Sequence, residues 1–243
     1  MTATVIIPAR LGSTRFPAKI LAAETGKPLV QHVVDQARQC KRVREVIVAT
    51  EDQKVVAALR PFGTRCVLTD PDHPSGTDRV AEAASRLGGE GPIINVQGDE
   101  PEIEPQSIDQ VVDGMVEGEW EMFTAAAPFA APMDPANPNL VKVVIGRSGR
   151  AMYFSRAPIP FARDPDVKPA YYLHVGLYGY TRQTLKRLAG LKPTPCELAE
   201  KLEQLRALEN DVPIGVTIIE RASHGIDTPQ QYAEFVERYR KQT

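Results

Sequence analysis

The chain has 243 residues, with 29 Lys plus Arg against 31 Asp plus Glu and a formal net charge of −2. That length can bury a core without staples, and the charge balance excludes a general nucleic-acid binder, so any anion site must be local. Cys40, Cys66 and Cys196 form no CxxC pair, and His32, His73, His174 and His224 lack the close spacing of a zinc site, so neither a disulfide scaffold nor a structural metal is expected.

The first apolar run, Val5-Ile6-Ile7, reads as a buried strand over residues 3 to 8. It breaks at Pro8 into a loop in which Arg10, Arg15 and Lys19 sit among the small residues Ala9, Gly12, Ser13 and Thr14. Small side chains let backbone N–H groups and cations converge on oxyanions, so the loop outlines a triphosphate cradle, with a solvated basic turn as the alternative. Leu29, Val33, Val34 and Ala37 recur at helical spacing, and residues 45 to 50 (EVIVAT) form a second strand. Glu51 and Asp52 suit the start of a helix over 52 to 61. A short strand at 66 to 68, a helix at 78 to 87 and a fourth apolar run at 92 to 96 follow, the last leaving through Gln97-Gly98-Asp99-Glu100-Pro101. This alternation predicts an α/β fold with a doubly wound, mostly parallel sheet.

Beyond about residue 120 the pattern is less regular. Prolines concentrate in a loop or arm over 128 to 138, with strands expected at 122 to 127, 140 to 145, 151 to 155 and 172 to 180. Helices are expected at 182 to 189 and 197 to 208, a strand at 215 to 219, and a terminal helix after Gly225-Ile226-Asp227-Thr228-Pro229. The expectation is one domain over 1 to 243 with a smaller strand-rich insertion at about 125 to 180. No segment approaches a membrane span, and the run before Pro8 is too short for a signal-peptide core, which predicts a cytoplasmic protein.

In an open parallel sheet, ligands bind beyond the carboxyl ends of the strands, near the reversal of strand order. The candidates there are Arg10, Arg15 and Lys19 after the first strand, Gln97, Asp99 and Glu100 after the fourth, and Asp227 after the last. Cations beside carboxylates suit a phosphate ligand whose Mg²⁺ is held by one or two Asp side chains; the plainer reading makes Asp99 and Asp227 helix caps. Neither GxxxxGK[ST] nor GxGxxG occurs. Ser75-Gly76-Thr77 opens a helix and offers either N–H groups to a ligand or a cap. His174, Gly176 and Tyr178 share one strand face, Arg156 suits a carboxylate, and Glu203 and Gln204 lie on a helical stretch able to reach sugar hydroxyls, or simply facing solvent.

Seven segments in order, PARLGSTRFPAK (8 to 19), HPSGTDRVAEA (73 to 83), NVQGDEP (95 to 101), NPNLVKVV (137 to 144), YFSRAPIP (153 to 160), HVGLYGY (174 to 180) and KLEQLRALEN (201 to 210), resemble the 3-deoxy-manno-octulosonate cytidylyltransferases, or CMP-Kdo synthetases. The resemblance implies a Rossmann-like nucleotidyltransferase fold with a sugar-binding and dimerisation subdomain. It implies an enzyme that joins CTP and Kdo into CMP-Kdo and pyrophosphate for lipopolysaccharide assembly, uses Mg²⁺ and works as a homodimer without nucleic acid or membrane insertion. Carried over by residue, Arg10, Ser13, Arg15, Lys19, Ser75 and Gln97 would bind the nucleotide, with Lys19, Arg10 and Asp99 catalytic and Asp99 and Asp227 on the metal. Arg156, His174, Tyr178, Glu203 and Gln204 would bind the sugar acid. Asp70 departs from the pattern, standing where several members carry an arginine. The alternatives are a cytidylyltransferase for 8-amino-Kdo or another acidic sugar, and a non-catalytic nucleotide-binding relative.

Overall fold

The computed structural model describes every residue except Met1, Thr14, Glu119, Pro165, His224 and Thr243. Thr14 of the basic loop and His224 among the scattered histidines therefore lie outside the described residues. The chain divides into two compact units, one formed by residues 1–109 and 223–243, the other by 110–222.

The first unit is a parallel sheet with helices. Strand β1 (Ala3–Pro8) pairs in parallel with β2 (Val43–Thr50) on one side and β4 (Ile93–Asn95) on the other, and β2 pairs with β3 (Arg65–Leu68). The order β3-β2-β1-β4 reverses direction between β1 and β4. Ala3, Val5, Ile6 and Ile7 are fully buried, as expected of a strand covered on both faces. Around the sheet lie α1 (Leu29–Ala37), α2 (Gln53–Leu59), α3 (Gly76–Leu87) and the last helix, α8 (Pro229–Gln242). Asp52 caps α2 by accepting from the Lys54 N–H at 2.7 Å, while Glu51 pairs with Arg79 instead.

One helix escapes the pattern expected from sequence: α4 (Pro105–Glu117), which carries the chain from the first unit into the second. Its signals are Pro105 at its first position and buried Ile108, Val111, Val112 and Met115 at helical spacing.

In the second unit β5 (Met122–Pro128) pairs antiparallel with β8 (Tyr172–Tyr180) and parallel with β9 (Ile214–Ile218). The hairpin of β6 (Lys142–Ile145) and β7 (Ala151–Ser155) joins β8 through β6. Helix α5 (Arg182–Ala189) begins at Thr181, whose hydroxyl accepts from the Thr184 N–H.

The single helix expected over 197 to 208 is two, α6 (Pro195–Glu200) and α7 (Leu205–Glu209). Lys201 takes a left-handed conformation, φ 53, which ends α6 and leaves Glu203 and Gln204 in a turn. Gln204 is buried there, so this segment is not the exposed helix face that its charged residues suggest. No described helix is long and apolar enough to cross a membrane.

Candidate functional site

The basic loop leaves β1 along the sheet, with the Ala9 N–H donating to Ala49 O at 2.8 Å. It then doubles back: Ser13 and Ala18 N–H groups both donate to Leu11 O, and Ala18, at φ 54, starts a short 3-10 turn over Lys19–Leu21. Phe16 anchors the loop on Tyr232 of α8 (Pro229–Gln242), ring centroids 5.7 Å apart. Lys19 is thereby pointed inward.

Its ammonium meets three acceptors: Asp99 Oδ2 at 2.5 Å, Ile226 O at 2.8 Å and Asp227 Oδ1 at 2.9 Å. Arg15 pairs with the other Asp227 oxygen at 2.9 Å. The Ile226 N–H donates to Asp99 O, so the C-terminal segment is stitched to the loop after β4. A Cβ on Gly98 would lie 2.8 Å from Pro8 O, so only glycine allows the β4 exit to approach the β1 exit this closely. Asp99 and Asp227 therefore converge on one cation and do not serve as helix caps; Gln231 accepts from the Asp227 and Thr228 N–H groups at the start of α8.

These groups line a cleft of about 370 Å³ together with Arg10, Ser13, Ser75, Gly76, Arg79 and Gln97. Arg10 is exposed and makes no ion pair among the described residues. Ser75 caps α3, its Oγ accepting from the Asp78 N–H at 3.1 Å, and it also borders the cleft. Arg79, given no role from sequence, is buried at the cleft wall against Glu51 at 3.0 Å and bonded to Thr69 Oγ. Its signal was the SGTDR segment itself. Asp70 does not line the cleft; its carboxylate accepts from the Asp72 N–H at 2.9 Å within an exposed turn.

Burial pulls the Lys19 ammonium down, but Asp99 and Asp227 outweigh it and leave its pKa raised, so it stays protonated. Burial pushes Glu100 up to about 7, against a hydrogen bond from Ser223 and with a further push from Asp99. Two carboxylates sharing one cation, in a cleft that also presents Arg10, unpaired among the described residues, fit a Mg²⁺ ion that takes one or two protein oxygens and completes its shell from phosphates and water. No group of three or more His, Cys, Asp or Glu side chains able to hold a metal occurs among the described residues, so any such ion relies on ligand oxygens.

The remaining candidates lie in the second unit. Arg156 is not in a surface ion pair: its guanidinium donates to Glu200 O at 2.7 Å, Pro138 O at 2.8 Å and Lys201 O at 3.3 Å. Glu200 in turn receives Ser155 Oγ and the Arg156 N–H. The His174 and Tyr178 rings lie 5.4 Å apart, with Phe154 edge-on to His174 at 5.0 Å. Burial pushes His174 down to about 3, so its ring is neutral. Burial, then Tyr180 and Glu203, hold the Tyr178 hydroxyl well above its ordinary value and protonated. Thr124 was not read from sequence as part of this group, yet its Oγ lies 3.2 Å from His174 Nε2. A threonine within an apolar strand carries little signal on its own.

The description "Cytidylyltransferase" belongs to the family model that matches residues 4–217. A 3-deoxy-manno-octulosonate cytidylyltransferase of Geobacter sulfurreducens is 47% identical over 98% of this chain and 99% of its own length. Its counterpart in Leptospira biflexa is 44% identical, covering 97% of this chain and 96% of its own. Among solved structures, a CMP:2-keto-3-deoxy-manno-octonic acid synthetase complexed with CTP superposes with a TM-score of 0.94 at 37% identity, over 100% of both chains.

Proposed function

Since this chain belongs to the 3-deoxy-manno-octulosonate cytidylyltransferase family, we propose that it joins CTP to 3-deoxy-manno-octulosonate, releasing pyrophosphate and forming CMP-Kdo for lipopolysaccharide assembly. The observation that carries this reading is the convergence of Lys19, Asp99 and Asp227 where strand order reverses, in a cleft that also presents Arg10 and Arg15.

The anomeric hydroxyl of the sugar attacks the α-phosphorus in line, and pyrophosphate leaves without a covalent enzyme intermediate. Arg10, Ser13, Arg15 and Lys19 hold the triphosphate, and the positive charges of Lys19 and Arg10 offset the charge that builds on the leaving pyrophosphate. Ser75 and Gln97 contribute to nucleotide recognition. Asp99 and Asp227 would hold Mg²⁺, which when bound would supply Lewis-acid polarisation of the α-phosphate. Arg156 meets the sugar-acid carboxylate through its remaining N–H groups, and His174, Tyr178, Glu203 and Gln204 meet its hydroxyls. Both compact units work as one nucleotidyltransferase, in the cytoplasm and as a homodimer. The exposed Met152 and Phe161, 66% and 84% accessible, support an association surface on the second unit.

Pyrophosphate release is the test, with CTP, UTP, ATP or GTP as donor and with Kdo, 8-amino-Kdo, N-acetylneuraminate or no acceptor. Release is expected only with CTP and Kdo; a different acceptor moves the substrate, and no release with any pair overturns the activity. Asp99→Asn is expected to lower kcat by about 10² or more, a far larger effect than its effect on the unfolding curve. Full turnover of that variant at saturating Mg²⁺ would remove Asp99 from the metal.

A further inference from the structure

The pairing of β5 with β8 slips between Thr124 and Ala125: Thr124 lies opposite Tyr178, but Ala125 lies opposite Val175. Gly176 and Leu177 are thus the extra residues of a bulge, and the Thr124 side chain fills it. Its Oγ lies 2.8 Å from Leu177 O, 3.2 Å from Val175 O and 3.2 Å from His174 Nε2.

Proton positions follow from counting donors. A carbonyl oxygen has no hydrogen, so an oxygen pair 2.8 Å apart requires the single threonine proton to lie between them. The Thr124 oxygen then has only lone pairs to offer His174, and Nε2 must be the donor. In a neutral imidazole the other nitrogen, Nδ1, is left as a bare acceptor. Nδ1 makes no hydrogen bond to any described residue.

We propose that Thr124 is a positioning residue that fixes His174 as its Nε2–H tautomer, so that Nδ1 accepts a hydrogen bond from a hydroxyl of the bound sugar acid. The inference rests on the reading of His174 as a sugar contact. It adds the direction of the bond: His174 selects a group that donates, a hydroxyl, and disfavours a carboxylate or keto oxygen, which can only accept. That division leaves the sugar carboxylate to Arg156. Phe154 and Tyr178 pack against the ring and hold its plane. Burial keeps the ring uncharged, so the accepting lone pair persists through the neutral range.

The test is a long-range ¹H–¹⁵N spectrum of the full-length enzyme labelled at histidine, with His174 assigned by its loss in His174→Gln, together with steady-state kinetics on CTP and Kdo. At pH 7 His174 is expected to show a protonated Nε2 and a bare Nδ1 in the natural protein and in Thr124→Ser, which keeps the hydroxyl. Thr124→Val is expected to lose that pattern and to raise KM for Kdo about tenfold, leaving KM for CTP unchanged, with Thr124→Ser restoring it. A protonated Nδ1 in the natural protein overturns the proposal without reference to any variant. An unaltered His174 spectrum in Thr124→Val overturns the role of Thr124. If the spectrum is as expected but His174→Gln leaves KM for Kdo unchanged, the sugar-site reading of His174 falls, and the recognition step with it.

Discussion

His32 sits in α1 with Nε2 2.7 Å from Thr25 Oγ and its ring edge-on to Phe235 and Tyr239, at 4.9 and 4.8 Å. Burial, and then the charge of Lys27, push it down from 6.5 to about 4, with Asp35 opposing. The unfolded chain therefore binds the proton more tightly than the folded one. The stability contributed by a neutral His32 is complete above pH 6.5 and is lost as pH falls toward 4, by at most about 3 kcal/mol at 1.36 kcal/mol per unit. His32→Gln, which can still bond Thr25 but does not titrate in this range, should flatten that part of the curve. Urea unfolding of both proteins at pH 7 and pH 4.5 checks this, and equal losses would reject it.

At the scale of elements, Lys142 on β6 ties three pieces of chain together. Its fully buried ammonium donates to Asn137 O at 3.2 Å, to Leu140 O at 2.6 Å and to Arg156 O. Arg156 reaches back to Pro138 O, so the proline-rich loop is clamped from both sides. Lys142→Met fills the volume but strands three carbonyls, and is expected to cost about 1–3 kcal/mol, measured by urea unfolding, with faster proteolysis in the loop before β6. The strands and most helices of the first unit were legible because buried parallel strands are continuous apolar runs between turn residues. Asp99 was legible because it stands just after the end of β4, whereas Asp227 lies nine residues past the end of β9 and was legible through the Gly225-Ile226-Asp227-Thr228-Pro229 segment that precedes the last helix. Other features were not. Helix α4 hides behind a proline that reads as a breaker but serves as a first helical residue. The break at Lys201 depends on a left-handed residue that is not glycine. The bulge filled by Thr124 depends on the register of two distant strands, which neither sequence states alone. Arg79, buried against Glu51 and Thr69, and Arg156, half-buried against backbone carbonyls, look like any surface arginine until the loops around them are placed.

At the scale of the molecule, the first unit is discontinuous: residues 223–243 return to complete what 1–109 begin. The returning segment brings Ile226, Tyr232, Phe235 and Val236 onto Leu29, Ser223 onto Glu100, and Asp227 onto Lys19. A chain ending at Ala222 should therefore lose amide protection across residues 1–109 while residues 110–222 keep theirs, as hydrogen exchange would show. Equal protection in both proteins would mean that the first unit does not need its tail.

This path also orders events during synthesis. The cationic loop leaves the ribosome well before Asp227, one of the two carboxylates that gather around Lys19, which stands 208 residues later in the chain. A chain interrupted before that residue thus carries its positive charges with Asp99 but without their second counter-carboxylate, whatever else of it has folded. Synthesis through Asp227, and not the folding of what precedes it, is the event that brings both carboxylates onto Lys19.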